Sequence, residues 1–144
     1  MIHTFADETR WLSNMMTVDV VYDGYSFKSV EQAYQYAKCE TDEWRAVCQD
    51  PNLNPYQIKR KSKDIVIRDD WDKVKLLVME GLLIQKFNQE PYQELLLATG
   101  NQNIQEGNNW NDTFWGVDLK STPNIGENHL GRLIMNIRTQ YKIK

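Results

Sequence analysis

The longest helical signal in the chain runs from Trp71 to about Asn88, and it limits what the rest can do. Val74, Leu77, Val78, Leu82 and Phe87 follow a helical period, and Leu76, Met79, Leu83 and Ile84 widen the apolar stripe. A stripe that broad predicts a central, mostly buried helix with the other elements packed around it. Gly81 inside it costs roughly 1 kcal/mol against alanine, which predicts a close approach by a neighbour there. At 144 residues and 41% hydrophobic, the chain has apolar material for one compact domain, 1–144, with a full-sized core.

The remaining elements follow in order. Met1 to Phe5 reads as a short strand, followed by a turn through Ala6 to Thr9. Thr17 to Tyr22 and Tyr25 to Phe27 alternate in polarity on either side of Asp23-Gly24, which predicts a β-hairpin with a tight turn. A helix begins at about Val30. Thr41 caps a second, ended by Pro51, and Asn54-Pro55 opens a short basic one through about Lys61. Asp64 to Arg68 reads as a brief strand or an extended link. Pro91 starts a helix closed by Gly100, the amide-rich stretch Asn101 to Phe114 reads as loop, and Asn128 caps a final helix. The fold class is therefore α+β: a single, mainly helical domain with a few short strands, the hairpin among them.

Within the stretch Ser29 to Lys38, one helical face carries Glu31, Tyr34, Gln35 and Lys38. Val30, Ala33 and Ala37 lie on the other side. An acid, a phenol, an amide and an amine in one stripe suit a helix that lines a pocket. The same residues also have a purely structural reading. Ser29 with Gln32 makes a capping box, and an acid in the first turn complements the helix dipole.

Five Trp and seven Tyr, several with polar neighbours, suit walls for a planar ligand as well as core edges. A net charge of −3 argues against binding nucleic acid through bulk charge, with the run Lys59, Arg60, Lys61, Lys63 and then Arg68 as a local exception. Cys39 and Cys48 have no metal-ligand spacing, His3 and His129 are isolated, and free thiols are expected. Neither a signal-peptide core nor a membrane-spanning run is present in the sequence, so the expected setting is the cytoplasm without membrane contact.

No nucleophile elbow, phosphate loop, zinc motif or Cys–His pair occurs. What remains is carboxylates and aromatics in polar surroundings: Glu31, Glu106 and Asp112 with Trp71, Trp110 and Trp115. Such a set can do glycoside chemistry, an acid handling water or a proton while negative charge steadies a cationic sugar carbon. Surface acids with structural roles would give the same list.

The chain resembles the YbiA-like, or NADAR, domain family over nearly its whole length. The resemblance is carried by L-S-N (Leu12 to Asn14), D-G-Y-S-F-K-S-V-E-Q-A-Y-Q-Y-A-K (Asp23 to Lys38) and R-D-D-W-D-K-V-K (Arg68 to Lys75). It continues in V-M-E-G-L-L-I-Q-K-F-N-Q (Val78 to Gln89), L-L-L-A-T-G (Leu95 to Gly100), the Glu106-to-Asp112 loop with Trp115-Gly116, and G-E-N-H-L-G-R-L-I-M-N-I-R (Gly126 to Arg138). The resemblance implies a cofactor-free, metal-free N-glycosidase that cleaves between a ribose carbon and a base nitrogen. The implied substrates are phosphoribosylamino intermediates of riboflavin synthesis, or ADP-ribose on guanine in nucleic acid. It implies Glu31 and Asp112 as catalytic acids. It also implies Ser13, Asn14, Tyr34, Lys38, Arg68, Trp71, Trp115 and Asn128 as substrate-binding residues, with Glu106 a structural acid. The alternative is a module that holds ADP-ribose or a nucleotide without cleaving it. Departures from the family pattern are Met15 after L-S-N, Ser62-Lys63 where Gly-Arg is common, and a longer loop holding Trp110.

Overall fold

Helices predominate over short strands in the structure, a computed structural model that describes residues 1–143. The elements are β1 (Ile2–Thr4), β2 (Thr17–Tyr22), β3 (Tyr25–Ser29), α1 (Val30–Lys38), α2 (Asp42–Cys48), α3 (Pro55–Lys61), α4 (Trp71–Phe87), α5 (Tyr92–Ala98), β4 (Ile104–Asn108), β5 (Val117–Asp118) and α6 (His129–Ile143). Short 3₁₀ turns cover Asp7–Leu12 and Ser62–Asp64. The fold is α+β, as the sequence predicts. It has two compact units: Asn14–Lys86, and Met1–Ser13 with the chain from Phe87 onward.

In the unit Asn14–Lys86, β2 and β3 form the expected antiparallel hairpin, pairing Val20 with Phe27 and Tyr22 with Tyr25. Asp23 and Gly24 turn with φ of 56° and 79°, the left-handed pair that matches strand twist in a two-residue loop. Val18 and Val20 are buried while Thr17, Asp19 and Val21 face outward, so the alternation in the sequence fixes the register. Ser29 ends β3 and caps α1. Its Oγ accepts from Gln32 N at 3.0 Å and donates to Gln32 Oε1 at 2.8 Å. No linker intervenes, so the hairpin sets the direction in which α1 leaves. Every α1 residue from Val30 to Ala37 is buried, and α1 packs against β2, β3, α2 and α3.

Caps behave as the sequence predicts. Thr41 accepts from Trp44 N at 3.2 Å, and Asn54 forms a full capping box with Gln57 behind Pro55. Asp64 to Arg68 is no strand. After the 3₁₀ turn it runs as a link whose end is tied by Arg68 N to Lys38 O at 2.9 Å.

Helix α4 corrects two expectations. It is one-sided rather than mostly buried: Trp71, Met79, Leu82, Leu83, Lys86 and Phe87 are buried, while Leu77 is 70% exposed and Leu76 and Ile84 are also exposed. A Cβ at Gly81 would meet nothing within 4 Å, so no neighbour approaches it closely. Apolar residues spread around a helix do not say which of them find a partner. Lys86, with 0% exposure, takes a place in the buried face that the apolar pattern does not mark.

The other unit contains the parallel sheet β1–β4–β5, with Ile2 opposite Ile104 and Gly107 opposite Val117. Strand β4 lies in the amide-rich stretch that reads as loop. Only Ile104 in it is apolar, so no alternation signals a strand. Its glycine is required: a Cβ at Gly107 would fall 2.3 Å from His3 O on β1. Helix α6 packs on β4 and α5 and buries Leu130, Ile134 and Ile137. Gly100, at φ 63°, closes α5. Buried Arg138 donates to Thr99 Oγ1 at 2.9 Å, and Lys142 donates to Gly100 O, so α6 cations meet the carbonyl end of α5. Among the described residues, no helix is long and apolar enough to cross a membrane.

Candidate active site

Glu31 occupies the first turn of α1 and is 6% exposed. Its backbone N–H donates to Asn14 O at 3.1 Å, which ties the L-S-N segment to the helix start. One turn on, Gln35 Nε2 donates to Glu31 Oε2 at 2.5 Å. That bond orients the Gln35 amide, and Gln35 Oε1 is left buried without a hydrogen-bond partner. Asn14 repeats the situation. Its Nδ2 reaches Met79 Sδ at 3.5 Å, a weak acceptor, and its Oδ1 is likewise buried and unpartnered.

Two buried acceptors without partners, one on the amide that holds the Glu31 carboxylate and one on the residue whose carbonyl meets Glu31 N, are an expensive arrangement. Each unsatisfied acceptor costs about 1–3 kcal/mol, and buried polar groups in native proteins are normally paired. What the cluster lacks is donors. A ligand or water bringing several O–H or N–H groups would complete it, whereas an anion would be repelled.

Around this cluster the unit places further expected residues. Tyr34 and Trp71 face each other with ring centroids 5.1 Å apart at 55°, both nearly buried. Lys38 Nζ lies 5.3 Å from the Tyr34 ring centroid. Trp44 Nε1 donates to Gln35 O at 2.7 Å, steadying the middle of α1. Thus Asn14, Glu31, Tyr34, Lys38 and Trp71 come together through α1. Arg68 follows a different course. Its guanidinium meets Glu40 Oε1 and Asp70 Oδ1, each at 2.6 Å, and these carboxylates raise its pKa further above the ordinary value. It holds the link before α4 in place. Gln35 completes the cluster; it is not among the residues expected to bind substrate, although its position four residues after Glu31 on the polar stripe is the signal for it.

In the other unit, the β4–β5 loop is built on Asn108, 1% exposed, which the sequence does not single out. Its Oδ1 accepts from Asp112 N at 3.0 Å and Trp110 N at 3.3 Å, and its Nδ2 donates to Asp112 O at 2.9 Å and Glu106 Oε2 at 3.0 Å. Asp112 Oδ1 in turn accepts from Phe114 N at 3.2 Å and Trp115 N at 3.0 Å. Trp115 is half-buried, edge-on to Phe114 at 4.9 Å. A Cβ at Gly116 would lie 1.8 Å from Glu106 Oε2, so the glycine of Trp115-Gly116 lets the acid in.

Asn128 precedes α6 at φ 54°, and its carbonyl accepts from Arg132 N at 3.0 Å, as that of an N-cap residue does. Its Oδ1 accepts from Glu106 N at 3.0 Å and its Nδ2 donates to Ile104 O at 2.9 Å, so both amide atoms bind the β4 backbone. Ser13 closes the 3₁₀ turn Asp7–Leu12 through its N–H to Arg10 O at 2.9 Å. No group of three or more His, Cys, Asp and Glu side chains is gathered for a metal ion among the described residues.

The sequence profile of the NADAR domain matches residues 3–142. The chain belongs to the NADAR domain family. Over 145 residues it is 28% identical to the N-glycosidase YbiA of Escherichia coli K12, covering 99% of this chain and 88% of that one. The solved NMR structure of the E. coli protein YbiA matches with a TM-score of 0.79 over the same shares of the two chains. Shorter matches at 35% identity reach an N-glycosidase of Nostoc punctiforme over 77 residues and a chloroplastic riboflavin biosynthesis protein of Arabidopsis thaliana over 82 residues. The match spans 47% of the first of these relatives and 13% of the second. The buried acid cluster on α1 is thus part of a NADAR domain, and the YbiA likeness extends over all of its elements.

Proposed function

We propose that this NADAR-domain protein is an N-glycosidase that hydrolyses the bond between a ribose carbon and a base nitrogen, with Glu31 at the reacting carbon. The observation that carries the reading is the buried Glu31 carboxylate held by Gln35, whose own Oε1 is unpartnered, with the equally unpartnered Oδ1 on Asn14, the residue whose carbonyl meets Glu31 N. A ribosyl group supplies the hydroxyl donors such a cluster lacks. The carboxylate stabilises the positive charge that develops on the sugar carbon as the C–N bond breaks. Water adds to that carbon, Glu31 accepts the water's proton, and the departing base nitrogen takes up a proton from solvent, to which Glu31 returns its own. Gln35 acts as a positioning residue through its bond to Glu31. The Tyr34–Trp71 pair presents an aromatic surface to the base, and Lys38 at the end of α1 serves the phosphate. Asp112, whose Oδ1 is held by its own loop, offers Oδ2 to a ribose hydroxyl.

The names of the relatives support N-glycoside chemistry, and the riboflavin-related names favour a phosphoribosylamino substrate as one class. ADP-ribose on guanine in nucleic acid is the other. Incubation with both classes, followed by chromatography of the released base, tests the reading. Release by the wild-type protein and its loss in Glu31→Gln is the expected result. Ligand binding with no release of base from any substrate would leave a binding module, and release unchanged in Glu31→Gln would remove the acid from its role.

A further inference from the structure

Helix α4 turns one face to solvent along its length. Asp70, just before the helix, and then Lys73, Leu77, Gly81 and Ile84 recur at intervals of three and four, and all are exposed, Leu77 at 70% and Ile84 at 42%. Exposed Glu80 flanks this face on one side and half-buried Val74 on the other. Gly81 is a poor helix former inside an exposed helix, and a Cβ there would meet nothing within 4 Å among the described residues. Nothing in the packing of the chain itself asks for a residue so small. Lys73 and Glu80 stand two turns apart near one edge of the face, and neither forms an ion pair among the described residues. Asp70, the acid nearest Lys73 on the helix, is already held by Arg68 at 2.6 Å.

These features are complementary to a second copy of the same helix, running antiparallel across a two-fold axis at Leu77. Such an axis sets the two Leu77 side chains against each other. Residues equally far before and after Leu77 come level, so Lys73 of one copy lies about 1.5 Å along the helix direction from Glu80 of the other. Both residues sit on the same side of Leu77, and the two-fold axis keeps that side in register, so the pair forms twice along one edge. Along the opposite edge Val74 meets Gly81 of the other copy, again twice, and the missing Cβ lets the helices close together. Ile84 lies over the start of the other helix. A parallel pairing would instead set Lys73 on Lys73 and Glu80 on Glu80.

We propose that the exposed face of α4 is a self-association surface on which two copies of the chain pair antiparallel. Leu77 stands at its centre, Val74 packs on Gly81 at one edge, and Lys73 pairs with Glu80 at the other. A single helix pair is a small interface, so the dimer is weak and reversible, with a dissociation constant on the order of micromolar. The inference goes beyond the N-glycosidase reading and stands or falls apart from it, because Lys73, Val74, Leu77, Glu80 and Gly81 have no part in the proposed site.

The test is sedimentation equilibrium of the full chain at low salt, from about 1 to 300 µM, a range that brackets a micromolar dissociation constant. The mean mass is expected to rise from that of one chain towards that of two. Leu77→Glu, which sets like charges together at the centre, holds the mass at one chain throughout. Lys73→Glu and Glu80→Lys each weaken association about tenfold or more, because each creates like-charge contacts at both pairs. An equimolar mixture of these two single variants restores association, since positions 73 and 80 then carry opposite charges across the interface. Gly81→Leu raises the melting temperature of the dilute protein, leucine being the better helix former, and weakens association. Circular dichroism checks folding, and if Leu77→Glu does not fold, the mixed charge variants decide. The mass of one chain at every concentration overturns the proposal. So does association unchanged in folded Leu77→Glu. A mixture of the charge variants that associates no better than either alone removes the antiparallel pairing and overturns it as well.

Discussion

Gln35 and Asn108 are both buried amides, one on a helix and one at a strand end, and their fates differ. Asn108 uses both of its polar atoms within a few residues of itself, five bonds to Glu106, Trp110 and Asp112. Gln35 makes one side-chain bond, to Glu31, and its oxygen has no partner. An amide that satisfies its neighbours' backbone is building a loop. An amide left half-satisfied beside a buried acid is waiting for something that is not protein. The difference separates stability from function more clearly than residue type does, because both regions hold the same kinds of side chain.

The largest effect that could break this contrast is at Glu31. Glu31→Gln should lower turnover by about 10²–10⁴-fold while the melting temperature holds or rises, since a buried charge is removed. Steady-state release of base and a thermal melt on the same preparation read both. A melt lowered by ten degrees with turnover per folded molecule preserved would make Glu31 a loop-builder like Asn108.

Asn108→Ala should show the reverse. Five hydrogen bonds are lost and several partners are left unsatisfied, so a loss of about 3 kcal/mol, roughly 10 °C in melting temperature, is expected. Denaturant titration measures it. A variant as stable as wild type would show that the loop is held by something other than this amide.

The two regions were not equally legible from sequence. The Asp23-Gly24 turn, the Ser29 cap and the stripe Glu31, Tyr34, Gln35 and Lys38 follow rules of local spacing, and the structure contains them as read. Strand β4 did not announce itself, because what holds it is distant. Asn128 binds the Ile104 carbonyl and the Glu106 N–H across more than twenty residues of sequence, and Gly107 fits under His3 O. Such bonds have no period. Helix α4 misled for a related reason: Leu77 and Ile84 match the helical pattern, but a pattern gives apolar candidates and not the neighbours that would cover them. The unpartnered oxygens of Asn14 and Gln35 lie beyond sequence altogether, since only coordinates show which atoms of an amide are used.

Lys86 tests how buried polar groups are tolerated where hydrolysis is not at issue. Burial pushes its pKa down to about 7 from the ordinary 10.5. Between those values the folded chain holds it neutral while the unfolded chain protonates it, so unfolding takes up a proton. Stability therefore rises with pH across that window, by up to ~1.4 kcal/mol per pH unit, and is flat below it for this group. Urea titrations at intervals from pH 6 to 10 should show the rise, and Lys86→Met should remove it. A slope unchanged in the variant would assign the proton to another group.

The smallest expected effect sharpens the contrast most, because Asp112 stands on its boundary. One oxygen builds a loop, accepting from Phe114 N and Trp115 N, which is the work of Asn108; the proposed contact of the other with a ribose hydroxyl is the work of Glu31. Asp112→Asn keeps the side-chain oxygen that accepts those backbone bonds, so stability should stay within about 0.5 kcal/mol of wild type. A hydroxyl contact that orients the sugar survives in weaker form, so KM should rise about tenfold with kcat changed by less than about threefold. A group acting on the breaking bond would instead lose kcat, as at Glu31. Steady-state kinetics on Asp112→Asn therefore sorts the loop: a KM effect makes it a positioning element, and a fall in kcat as deep as that of Glu31→Gln makes the reaction one of two acids.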